Sequence, residues 1–112
     1  MELMNQHKID GLAQEIGQEN VPVLLEIFLG ELTGYQRQLT DVSQADKQEC
    51  LKDISHALKS SAASFGADKL CAKAIEIDGM VKLALEFDVN TETENIIALM
   101  EETHQCYEQL LP

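Results

Sequence analysis

The residue types in this chain that can do chemistry gather around His56. Lys52 lies four residues before it and Lys59 three after, spacings that bring side chains to one face of a helix. A neutral imidazole has an unperturbed pKa of about 6.5 and is a competent nucleophile near neutral pH. Two neighbouring ammonium groups suit an anionic reaction partner. Ser60 and Ala63 flank the histidine on the same face. Both are small, so a second macromolecule can approach the ring closely.

Other arrangements fail on geometry or on missing parts. Asp53-x-x-His56 and Glu101-x-x-His104 echo the Glu-x-x-His ligand pairs of di-iron bundles, but such ligands must face the bundle interior. No metal ligand set is expected. Ser55 and Ser61 lie near the histidine without the Gly-x-Ser-x-Gly elbow of a hydrolase. No Walker A or kinase glycine-rich loop is present, so no autokinase activity is expected.

A helix must carry this group. Leu51, Ile54, Ser55, Leu58, Ser61, Ala62 and Phe65 step by three and one, the pattern of a stripe facing a core. At about 100° per residue, His56 falls roughly 160° from the centre of that stripe and is expected to point into solvent. Gly66 closes the helix.

Every other periodic segment also has the helical period. A short stripe of Ile9, Leu12, Ala13 and Ile16 precedes Gly17. A second helix is expected from Asn20 as N-cap, with Pro22 in its first turn. Its face is Val21, Leu24, Leu25, Phe28, Leu29, Leu32 and Leu39. Val23 and Ile27 widen that face and predict burial on more than one side, and Gly30 and Gly34 are expected to permit close helix approach. The third helix starts near Asp46. The fourth starts near Asp68 with Leu70, Ala74, Ile77, Val81 and Ala84 as its stripe, Cys71 and Leu85 widening it, and a bend at Gly79. The fifth starts at the capping box Thr91-Glu92-Thr93-Glu94. Four long amphipathic helices with short links predict an all-α, antiparallel four-helix bundle with a short N-terminal capping helix, one domain over residues 1–112.

Composition narrows the partners. The formal net charge is −12, which argues against nucleic acid and anionic membranes. Of only eight Lys and Arg, Lys47, Lys52, Lys59 and Lys69 fall in or beside the His56 helix, so positive charge concentrates there. No transmembrane tract or secretory leader is expected. The three cysteines, Cys50, Cys71 and Cys106, read as thiols of a reduced, cytoplasmic setting. The apolar stripes are expected to be used up in one core, leaving a monomer.

The run His56-Ala57-Leu58-Lys59-Ser60-Ser61 resembles the signature of histidine-phosphotransfer (HPt) domains, His-x-x-Lys-Gly-Ser/Ala, with Ser60 in place of the family glycine. The longer runs Ile54 to Ala67 and Asn20 to Glu31 resemble the free-standing members that serve quorum sensing. The resemblance implies a four-helix bundle that relays a phosphoryl group between aspartates in a bacterial two-component system. It implies His56 as the phosphorylated residue, with Lys59 at the phosphoryl oxygens. The receiver domain of a hybrid sensor kinase would stand upstream and a response regulator downstream. No cofactor of its own is implied, Mg²⁺ arriving with the receiver. Lys52, Ser60 and Ala63 are the expected binding residues. A second class, a non-catalytic acidic helical adaptor, shares the bundle and the charge. It differs in taking no acid-labile phosphate.

Overall fold

The computed structural model describes all residues, 1–112. Five α-helices follow one another: α1 (Gln6–Ile16), α2 (Val21–Asp41), α3 (Lys47–Phe65), α4 (Asp68–Lys82) and α5 (Val89–Glu108). The last four pack as an elongated bundle, and α1 lies across one end against α2 and α3; the whole chain measures 43 × 26 × 19 Å. The expected architecture holds. α3 and α4, joined by Gly66 and Ala67 alone, share the most extensive interface.

The buried faces of the helices meet in one core. Phe28, Leu32, Leu51, Leu58, Leu70, Ala74, Ile77, Ile96, Met100 and Tyr107 have no exposed surface. The α3 C-terminus is held most firmly. Phe65 stacks on Phe28 with centroids 4.5 Å apart, and Tyr107 meets Phe28 edge-on at 5.5 Å. The Tyr107 hydroxyl donates to the Phe65 carbonyl at 2.7 Å, one of the carbonyls a helix end leaves without an internal partner. Burial pushes the Tyr107 phenol well above its ordinary pKa, so it remains a donor.

Gly66 does two things that only glycine can. Its φ of +74° ends α3 in the left-handed region. A Cβ there would also lie 2.8 Å from the Asn5 carbonyl oxygen and from Lys8 Cβ. The N-terminal segment crosses at this point: the Asn5 N–H donates to the Gly66 carbonyl at 2.7 Å, and the Lys69 N–H donates to the Glu2 carbonyl at 3.0 Å.

Several expectations are corrected. Val23 and Ile27 are 57% and 61% exposed, because α2 meets its neighbours on one side only. Nothing lies within 4 Å of a Cβ built at Gly30 or Gly34, so neither glycine serves close packing. With Ile75, Leu83 and Leu85 also exposed, the stripes do not use up the apolar residues. Asn20 stands at the N-cap of α2 as expected but makes no side-chain capping bond; it also ends a 3-10 turn, Gln18–Asn20, and its side-chain amide donates back to the Ile16 carbonyl at 2.6 Å. Asp88, not Thr91, caps α5 by accepting from the Thr91 N–H at 3.1 Å. α4 runs unbroken through Gly79 and ends at Lys82, leaving Ala84 and Leu85 outside it. Ala84 then adopts φ +54°, where a side chain costs about 1–2 kcal/mol.

Substitutions at the two left-handed positions are therefore expected to act in opposite directions. Gly66→Ala should destabilise by about 1–3 kcal/mol and loosen α1. Ala84→Gly should stabilise by about 1 kcal/mol. Thermal unfolding of both variants checks the signs.

Candidate functional site

The helix wheel places His56 correctly: its side chain is 66% exposed on the outer face of α3. Ser60 and Ala63 are exposed on the same helix. Ala63 and Ser64 border a groove whose other wall is α1, with His7, Lys8, Gly11, Leu12 and Glu15. The approach to the ring is thus flat and built of small residues.

The residue that organises the site is one that the motif does not name. Asp78 of α4 is 4% exposed, and its two oxygens receive three groups. His56 Nδ1 lies 3.4 Å from Oδ1. Lys59 Nζ lies 2.6 Å and Lys82 Nζ 2.9 Å from Oδ2. The bond to Lys59, and after it the bond to Lys82, holds the Asp78 carboxyl down at about 2 against an ordinary 3.8. The same contact raises the Lys59 ammonium above its usual value. A buried carboxylate without such partners would be costly.

The field of that carboxylate orients the imidazole. A carboxylate facing Nδ1 favours the tautomer with its proton on Nδ1 and the lone pair on Nε2. The basic nitrogen then points outward, where an electrophile can reach it. Attack through Nε2 places positive charge on the ring, and Asp78 lies beside that charge.

The predicted cations are distributed differently from expectation. Lys59 is only 28% exposed and engaged with Asp78, so it is not the free surface lysine that its spacing predicts. Lys52 is within reach of the site but pairs with Glu49 at 3.1 Å. Lys47 turns away to the Asn90 side chain at 3.3 Å. Lys82, absent from the sequence reading, takes a place at the site. A shallow cleft between α3 and α4 is lined by Lys52, Asp53, His56, Asp78, Val81 and Lys82.

The sequence marks Asp78 only weakly: it sits next to Ile77 of the stripe Leu70, Ala74, Ile77 and Val81, a position that is exposed or buried according to what packs beside it. Lys82, four residues on, is the partner that helix geometry offers.

The chain is similar to known proteins in both sequence and fold. The Hpt domain family model matches residues 23–111. The phosphorelay protein LuxU of Vibrio cholerae is 57% identical over 110 residues, covering 98% of this chain and 97% of that protein. LuxU of Vibrio harveyi is 49% identical over 106 residues, covering 95% and 93%. Among solved structures, the fold is similar to that of histidine-containing phosphotransfer protein B from Pseudomonas aeruginosa PAO1, with a TM-score of 0.82 at 18% identity over 96% of this chain and 92% of that one.

The ionisation of Asp78 makes a prediction about acid stability. Its folded pKa lies below the unfolded value, so its contribution is complete above about pH 3.8 and disappears as pH falls through about 2. A shift of this size corresponds to roughly 2 kcal/mol. Asp78→Asn should lower stability near neutral pH by about that amount and flatten the pH dependence between about pH 4 and 2. Denaturant unfolding across that range measures both.

Proposed function

The chain belongs to the Hpt domain family, and on that premise we propose that His56 is the residue that carries its phosphoryl group. The protein is a histidine phosphotransfer protein of a quorum-sensing phosphorelay, a carrier that exchanges phosphoryl groups with receiver domains. The observation that supports His56 is its exposed ring, with Nδ1 turned to the buried Asp78 carboxylate, which leaves Nε2 as the nitrogen available to react.

In the forward step the Nε2 lone pair attacks the phosphorus of an aspartyl phosphate in line. The P–O bond breaks, and the aspartate leaves as a carboxylate. The Nδ1 proton stays on the ring, facing Asp78. The reverse step returns the phosphoryl group to another aspartate. The transition state is loose, with charge spread over three equatorial oxygens, so positioning and electrostatics carry the catalysis. Mg²⁺ is supplied by the receiver's own acidic site.

The upstream donor in this reading is the receiver of a hybrid sensor kinase, and the downstream acceptor is a LuxO-type response regulator, both in the cytoplasm. The chain lacks an ATP-binding motif of its own, and its phosphate comes from a receiver rather than from autophosphorylation. No helix is long and apolar enough to cross a membrane. The receiver docks over Ser60, Ala63 and the groove shared with α1, where small side chains let its aspartate reach the ring.

The test is transfer from a phosphorylated receiver. Wild-type protein should take up acid-labile, base-stable label. His56→Gln should take up none while keeping its helical content and cooperative unfolding, because the side chain leaves no hole in the core. Ala63→Trp should retain the fold and lose transfer at least tenfold. A fully labelled His56→Gln protein would overturn the assignment.

A further inference from the structure

Resting on the assignment of His56, we propose that Lys82 of α4 is the principal phosphoryl-binding cation of the phosphorylated state, and that Lys59 serves instead to hold Asp78.

The two lysines share one carboxylate oxygen but differ in freedom. Lys59 is 28% exposed and bound at 2.6 Å; Lys82 is 59% exposed and bound at 2.9 Å. If Lys59 left Asp78, a buried carboxylate would lose its shortest cationic contact. If Lys82 leaves, Asp78 keeps both Lys59 and the His56 ring. The exchange is therefore easier for Lys82, whose side chain is the exposed member of its pair and keeps water around it as it moves.

The cleft supplies the second argument. Lys82 and Lys52 are its two cations, Val81 is an apolar wall, and Asp53 and Asp78 are its two carboxylates. A phosphoryl dianion on Nε2 brings further negative charge beside those carboxylates. Lys59 is neutralised by Asp78, and Lys52 pairs locally with the exposed Glu49. Lys82 stands on the opposite wall of the cleft from His56. A long flexible ammonium at that rim can turn from the carboxylate to the phosphoryl oxygens without disturbing the core.

Chemistry gives the direction of the effect. Loss of the phosphoryl group to water breaks the P–N bond, with the lone pair returning to Nε2 and water bonding to phosphorus. In a loose transition state the oxygens push electron density toward phosphorus. An ammonium on those oxygens holds that density back and prolongs the phosphohistidine.

The experiment charges the protein from a receiver domain phosphorylated with acetyl phosphate, removes the receiver, and follows first-order loss of label at neutral pH and low salt. Lys82→Ala is expected to shorten the half-life several-fold and Lys82→Glu to shorten it further. Lys59→Ala should have the smaller effect on this lifetime. In denaturant the wild-type and variant half-lives should coincide, which a difference from intact packing alone requires. A parallel measurement on wild-type protein keeps the test open if the variants label poorly: added salt should shorten its half-life, because an exposed cation is screened. Equal half-lives for wild type, Lys82→Ala and Lys82→Glu overturn the proposal, as does a salt-insensitive wild type paired with poorly labelled variants. Wild-type protein that takes no label at His56 overturns the phosphotransfer reading itself.

Discussion

A carboxylate set against the core side of α4 is tolerated only if cations come to it, and most of the site follows from how Asp78 meets that demand. Lys59 is drawn across from α3, Lys82 folds back along α4, and the imidazole of His56 turns Nδ1 toward the remaining oxygen. The contact therefore sets more than local charge. A helix slipped by one residue rotates its side chains by about 100°, so the triple contact is compatible with one register of α3 on α4. Packing of Leu51, Leu58, Leu70 and Ile77 and pairing of charge specify the same alignment.

The periodic part of this structure was legible in advance, and for a physical reason. Helix period and core face are properties of one segment, so Leu51, Ile54 and Leu58 reveal the buried side of α3, and His56 its opposite. The family resemblance added the chemistry. What stayed hidden depends on two segments at once. Lys59 reads as a free surface lysine until α4 is laid beside it, and Asp78 reads as an ordinary acid until its depth is known. The misplaced cap has a local cause. Thr91 and Asp88 are both good capping residues, and the choice between them turns on where the chain leaves α4. Val23 and Ile27 mislead because apolar character permits burial without requiring it.

The division of labour between the two faces of α3 explains how the protein can be both rigid and accessible. Its inner face is pinned by Phe28, Phe65 and Tyr107 and by the hydroxyl bond to the Phe65 carbonyl. C-terminal to the ring, its exposed residues are only Ser60, Ala63 and Ser64. Side-chain bulk is kept where it packs and removed where a partner must come close. The histidine is presented on a stiff rod rather than on a loop, so little of the geometry for in-line attack has to be assembled at the moment of docking.

The crossing of the N-terminal segment over the α3–α4 turn has a consequence for how the chain is made. The partners of Asn5 and Glu2 are the backbone groups of Gly66 and Lys69. Ribosomal synthesis runs at about 5–20 residues per second, so α1 emerges seconds before the surface that receives it exists. The α3–α4 hairpin, built from neighbours in sequence, has no such wait. α1 thus waits for a partner made later, and the groove beside Ala63 is completed only when the segment around Asn5 reaches the α3–α4 turn.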